Sequence, residues 1–173
     1  DWSSDVCSSD PRATRKYPPG QMLQLVNRTL YERPIEGQYI TLAFVIYDRD
    51  QRKLTLANSG LPSPLLIRNG TSRYLDLSGI PVGLFPESTY QEIELALEPH
   101  DVLILYSDGV VEMRDEAGDD FGLKRLAGVA KKNAHRSAEE IVNVIDAAVE
   151  EFAGRTPPGD DRTMIVIKMV DPV

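Results

Sequence analysis

Cysteine and tryptophan occur once each, and both, Cys7 and Trp2, fall within the first ten residues. From residue 11 onward no thiol is available as a nucleophile, a disulfide partner or a soft-metal ligand, which excludes thiol chemistry and suits a reducing compartment. Histidine is scarce too: His100 and His135 lie in separate polar segments and are expected to face solvent. No apolar run approaches the ~20 residues a helix needs to cross a bilayer, so direct membrane insertion is not expected. The formal net charge of −8 is the wrong sign for nucleic acid, whose phosphates are held by clustered Lys and Arg. The expected location is cytoplasmic, either alone or as the cytoplasmic part of a larger sensor. What is present is ordinary globular material: 173 residues, 42% of them hydrophobic, are enough for one domain with a real core.

Residues 1–10 stand apart. They carry three Asp and no basic residue, and they show neither helical nor strand periodicity. They lack the basic start and apolar centre of a secretory signal. They read as foreign sequence or a disordered tail, with a natural polar terminus as the alternative, and the domain is expected to occupy residues 11–173.

After Pro18, Pro19 and Gly20, the residues Met22, Leu23, Val26 and Leu30 share one face of a helix that runs to Glu32, with proline tolerated in its first turn. A β-rich section follows. Tyr39 to Tyr47 is apolar on both faces, Lys53 to Ala57 alternates, and Asp48 to Arg52 reads as the hairpin loop between them. Asn69-Gly70 is the strongest short hairpin signal in the chain and joins Pro64–Arg68 to Arg73–Leu77. Glu92 to Leu97 alternates and leads through Pro99-His100 into another strand. Two helices come next, Phe121 to about Lys132 with Leu123, Leu126, Ala127 and Ala130 on one face, and a helix opened by Ser137 and Glu140 at capping-box spacing. Ile141, Val144, Ile145, Ala148 and Phe152 form the apolar stripe of the second. This order predicts an α+β domain with helices covering a sheet.

Two acidic segments carry the chemistry. Ser107-Asp108-Gly109 ends the apolar run Val102 to Tyr106, and Gly159-Asp160-Asp161-Arg162-Thr163 opens the apolar run Met164 to Ile167. Continuous apolar runs of strand length predict interior strands covered on both faces. If the two strands are neighbours, Asp108 and Asp160 converge, and converging oxygens without nearby His or Cys suit Mg²⁺ or Mn²⁺ rather than Zn²⁺. Either segment alone is ordinary turn chemistry; the pair is what points to a cation.

The chain resembles the bacterial metal-dependent protein serine/threonine phosphatases of the PP2C-like, SpoIIE/RsbU type. The resemblance runs from about Pro18 to Met169. It rests on Tyr39 to Phe44, Leu56 to Gly60 with Pro64 to Leu66, Gly79 to Leu84, Leu105 to Val110, Asp119 to Gly122 and Asp160 to Thr163, in the family's order. It implies an αββα sandwich of two antiparallel sheets flanked by helices, of which this chain would be the C-terminal two thirds. It implies a two-metal site of Mn²⁺ or Mg²⁺ in the complete domain, with Asp108 and Asp160 binding one metal of the pair. Asp161 either supports the ligands or exchanges roles with Asp160, and Gly109 lets the backbone turn tightly beside the metal. The implied reaction is attack of metal-activated water on phosphoserine or phosphothreonine, with no phosphoenzyme. The implied partner is a phosphorylated regulatory protein, such as a STAS-type anti-sigma-factor antagonist.

Two departures from the family pattern qualify that activity. Nothing in the sequence matches the Asp-x-x-Gly-His-Gly-like segment whose Asp bridges both metals, so weak metal affinity and little activity are expected of this chain. Leu61 follows Asn58-Ser59-Gly60 where many relatives have His. A non-catalytic, phosphoprotein-binding module is therefore the competing expectation. The acidic loop of Glu112, Asp115, Glu116, Asp119 and Asp120 reads either as a solvated flap or as a substrate or third-metal contact. Asp48 to Lys53 lacks the glycine and terminal Glu of a calcium loop and reads as a turn.

Overall fold

A computed structural model describes residues 17–32 and 39–170. The expectation for residues 1–10 lies outside these. The described residues divide into two compact units, one of those up to Leu61 with Leu77–Ala96, the other of Pro62–Asp76 with those from Leu97 onward.

The first unit holds α1 (Pro19–Glu32), β1 (Leu42–Asp48), β2 (Lys53–Ser59) and β5 (Glu92–Ala96). Its sheet is antiparallel in the order β1-β2-β5. The hairpin loop forms as expected: the Asp48 carboxylate accepts from the Asp50 and Gln51 amides, the local bonding that makes Asp a turn former. Leu23 of α1 packs with Ala57, Val82 and Tyr90, and Val26 and Leu30 join this cluster from the same helix face. The β1 strand, apolar on both faces in sequence, is a half-buried edge of the described sheet, since only β2 pairs with it.

The second unit holds β3 (Leu65–Arg68), β4 (Thr71–Tyr74), β6 (Val102–Tyr106), α2 (Asp108–Val111), α3 (Gly122–Asn133), α4 (Ala138–Ala153) and β7 (Met164–Lys168). Its sheet is antiparallel in the order β4-β3-β6-β7. Asn69 and Gly70 both take positive φ, as a two-residue hairpin turn requires, and β4 begins at Thr71 rather than at Arg73. The tightness of the turn leaves no further loop residues. Val102, Ile104 and Tyr106 of β6 pack with Leu126 and Ala130 of α3 and Ile141, Ile145, Val149 and Ala153 of α4. The α4 capping box forms with both reciprocal bonds. Its buried row is Ile141, Ile145, Val149 and Ala153, a strict four-residue repeat, so Val144 and Phe152 flank the stripe. On α3, Leu123 is exposed because the buried face is centred on Leu126 and Ala130.

The two apolar runs of the acidic segments differ. All five residues of β6 are buried, as an interior strand requires, whereas β7 is an edge of the described sheet and Ile165 is 56% exposed. An apolar run reports affinity for a sheet; the number of neighbours a strand gains depends on topology.

Candidate active site

Antiparallel pairing of β6 with β7 sets Tyr106 opposite Met164. The residues following β6 and those preceding β7 therefore lie at one edge of the sheet, as the sequence requires if Asp108 and Asp160 are to converge. Three hydrogen bonds close this edge. The Ser107 amide donates to the Thr163 carbonyl (2.9 Å), the Thr163 amide donates to Ser107 Oγ (2.9 Å), and the Ser107 hydroxyl donates to the Asp161 carbonyl (3.0 Å). Ser107 precedes α2 in the position of an N-cap, but its side chain makes no cap bond because it is committed across to the second segment.

Gly109 explains how close the segments come. A Cβ at this position would lie 2.5 Å from the Asp161 carbonyl oxygen and 3.3 Å from that of Asp160, so any side chain would push the Asp160-Asp161 backbone away. Asp108 opens the single turn of α2, where a carboxylate is favourable beside free amides. One of its oxygens accepts from the Gly109 amide (3.0 Å), and one oxygen of Asp160 accepts from the Asp161 amide (2.7 Å). The other oxygen of each has no protein partner among the described residues. Both side chains and that of Asp161 are exposed, and the contact with Ser107 uses the Asp161 carbonyl, not its carboxylate.

A cleft of about 330 Å³ adjoins this edge, lined by Gly109, Glu112, Arg114, Thr156 and Asp160 among others. Arg114 is the one basic residue in its lining, with Nε on Asp120 (3.2 Å). The remaining acidic loop is folded on itself: the Asp115 carboxylate accepts from the Ala117 and Asp119 amides, and the Asp115 amide donates to the Asp119 carbonyl. Phe121 then anchors it, 2% exposed and edge-on to Phe152 at 5.5 Å. Behind the edge, burial raises the pKa of the Tyr106 phenol, which stays protonated and donates to the Ser63 carbonyl (3.1 Å).

These donors suit a hard cation in kind, since they are carboxylate oxygens. They fall short in number: among the described residues no group of three or more His, Cys, Asp or Glu could hold a metal ion. His100 and His135 are both exposed, as expected.

Several polar residues with structural weight escaped the sequence reading. Asp101, 2% exposed, accepts a bidentate Arg68 guanidinium and the Glu98 amide. In the first unit, the buried Asn58 amide donates to the Leu61 and Leu77 carbonyls while its oxygen accepts from the Leu61 amide. Leu61, flagged for its departure from His, thus contributes through its backbone. Buried Asn27 similarly holds Gly83, Phe85 and Pro86.

The family model of Stage II sporulation protein E (SpoIIE) matches residues 10–170. The phosphoserine phosphatase RsbU of Bacillus subtilis (strain 168) is 28% identical over 157 residues, covering 87% of this chain and 45% of the relative. The chain therefore spans less than half the length of that protein. Among solved structures, the SiaA-PP2C domain of Pseudomonas aeruginosa superposes with a TM-score of 0.78 at 23% identity, over 92% of this chain and 63% of the other. RsbX in complex with magnesium superposes with a TM-score of 0.64 at 16% identity, over 91% and 67%. These two share the fold, which fulfils the expectation of an α+β, PP2C-like architecture with two antiparallel sheets and helices. Because the family match runs through both compact units and includes both acidic segments, the chain belongs to the SpoIIE family.

Proposed function

We propose that the chain is the catalytic portion of a Mg²⁺- or Mn²⁺-dependent protein phosphatase acting on phosphoserine or phosphothreonine of a regulatory partner protein, an anti-sigma-factor antagonist of the STAS type being the leading class. The observation that carries this reading is the β6–β7 edge, where the Ser107 bonds and the bare backbone of Gly109 bring the Asp108 and Asp160 segments into contact. The similarity to RsbU, a phosphoserine phosphatase, and the fold shared with a magnesium complex support it. Asp108 and Asp160 would hold the cation through their unengaged oxygens. When bound, such an ion supplies Lewis-acid activation of water and offsets phosphoryl charge. The adjoining cleft gives a phosphorylated side chain room beside Asp160, with Arg114 in its lining to meet the phosphate charge. The full-length gene product is expected to release phosphate from a phosphoserine protein with Mn²⁺ stimulation, and Asp108→Asn or Asp160→Asn is expected to abolish it. Full activity in both variants would refute the assignment.

The small donor set favours a second reading, a phosphoprotein-binding module without hydrolysis. Calorimetry with Mn²⁺ tests the donor set of this chain: tight binding of two ions contradicts a site short of ligands, and weak binding of one supports it. Binding of a phosphoserine protein without phosphate release by the full-length gene product would support the second reading, and Mn²⁺-stimulated release the first.

A further inference from the structure

We propose that Arg162 is a positioning residue for the acidic edge: by bridging Asp146 and Glu150 of α4 it fixes the segment carrying Asp160 and thereby sets the edge's affinity for a divalent cation. This rests on the reading of Asp160 as a cation ligand.

Arg162 directly follows Asp160-Asp161, and its side chain is largely buried, with 21% exposed. Its Nη2 lies 3.3 Å from Asp146 Oδ1 and 3.2 Å from Glu150 Oε1. Those carboxylates stand one helical turn apart, a spacing at which like charges repel unless a cation sits between them. The helix that carries them is firmly built, with its capping box and four buried apolar residues. The Asp160 segment is thus gripped from two directions, by the Ser107 bonds at the end of β6 and by Arg162 on α4. Contributions to global stability from this bridge are small, because Asp146 and Glu150 are 49% and 65% exposed.

Arg162 Nη1 is also buried without an acceptor, beside a cavity of about 260 Å³ walled by Val110, Val142, Val149 and Met164. Both carboxylates meet the same nitrogen, Nη2, so one guanidinium nitrogen bridges the two turns of α4 while Nη1 faces this cavity, which Asp146 also lines. Removing a group bonded directly to a metal ligand commonly changes metal affinity by about 10–100-fold; Arg162 bonds the carboxylate of neither Asp108 nor Asp160 and acts through the backbone, so the expected effect sits at the low end, roughly tenfold.

The test uses this chain with Arg162→Gln, the double variant Asp146→Asn with Glu150→Gln, their combination, and Asp160→Asn. Mn²⁺ affinity is measured by calorimetry, amide exchange at Asp161 and Thr163 is followed in the metal-free protein, and the urea midpoint reports global stability. Arg162→Gln is expected to weaken Mn²⁺ binding by roughly tenfold, to speed exchange at both amides and to leave the midpoint nearly unchanged. The double variant should reproduce this, and the combination should be no worse than either. If Asp160→Asn leaves Mn²⁺ binding intact, the ligand reading falls and this proposal with it. If Asp160→Asn abolishes binding while the Arg162 and α4 variants change neither affinity nor exchange, positioning alone is overturned. A loss of affinity that only tracks a falling urea midpoint overturns it as well.

Discussion

The sheet of the first unit has one strand with a neighbour on either side, β2, and that of the second has two, β3 and β6, and the two units are finished differently. The β6 strand is apolar and buried along its whole length, and one of its faces joins a large cluster with α3 and α4. The first unit has a smaller cluster, a half-buried edge strand and buried polar locks at Asn27 and Asn58. Each unit also contains a glycine whose missing side chain permits backbone contact. A Cβ at Gly79 would lie 1.9 Å from the Asn58 carbonyl oxygen, and one at Gly109 would lie 2.5 Å from that of Asp161. The same device therefore serves two ends. At Gly79 it closes a polar lock inside the first unit, and at Gly109 it brings two acidic segments together. At Gly79 and Gly109 close approach is what demands glycine, and only the partner tells whether that approach serves the fold or the chemistry.

The widest contrast is expected from the cores. Ile104→Ala should cost about 2–5 kcal/mol, because β6 lies within a cluster that cannot collapse around the cavity. Val45→Ala on half-buried β1 should cost less than about 1 kcal/mol, since less apolar area is lost. Urea unfolding of both variants checks this, and equal losses would dissolve the contrast between the two sheets.

The paired glycines sharpen the comparison next. Gly79→Ala should lower stability by about 3 kcal/mol, since the added methyl meets backbone that cannot swing aside, and should leave Mn²⁺ binding by the surviving folded protein unchanged. Gly109→Ala should cost about 1–2 kcal/mol and sharply weaken Mn²⁺ binding. Unfolding and calorimetry on the same samples distinguish them; a reversed pattern would break the division between fold and site.

A modest effect is expected at the helix ends. Ser137→Ala should destabilise α4 by about 1 kcal/mol through loss of its cap. The Ser137 amide, then its hydroxyl, hold the Glu140 carboxyl below its ordinary value of 4.5. A depressed folded pKa stabilises above the unfolded value and is lost as pH falls through the folded one, so this contribution should fade below about pH 4.5. Thermal unfolding of Glu140→Gln against pH should lack that acid limb.

Much of this was legible in the chain. The α1 helix follows from a 3.6-residue apolar period, the α4 cap from Ser137 and Glu140, and the hairpin at Asn69-Gly70 from residues that tolerate positive φ. Those features depend on interactions within a few residues of each other. Asp108 and Asp160 stood out for the same reason, since a carboxylate at the mouth of an apolar strand is a local pattern. Ser107 and Arg162 did not, because a serine before Asp-Gly and an arginine before a strand look like surface residues until their partners, 56 and 12 positions away, are known.

The sequence by itself determined which segments become helix or strand and where carboxylates are available, because periodicity, capping and turn preference act over short range. Tertiary structure alone decided that β7 would be an edge, that Gly79 would meet Asn58 while Gly109 met Asp161, and that Arg162 would reach α4. Those outcomes depend on which strands become neighbours, and strand pairing is settled by the packing of the whole sheet and its helices rather than by any residue's own preference.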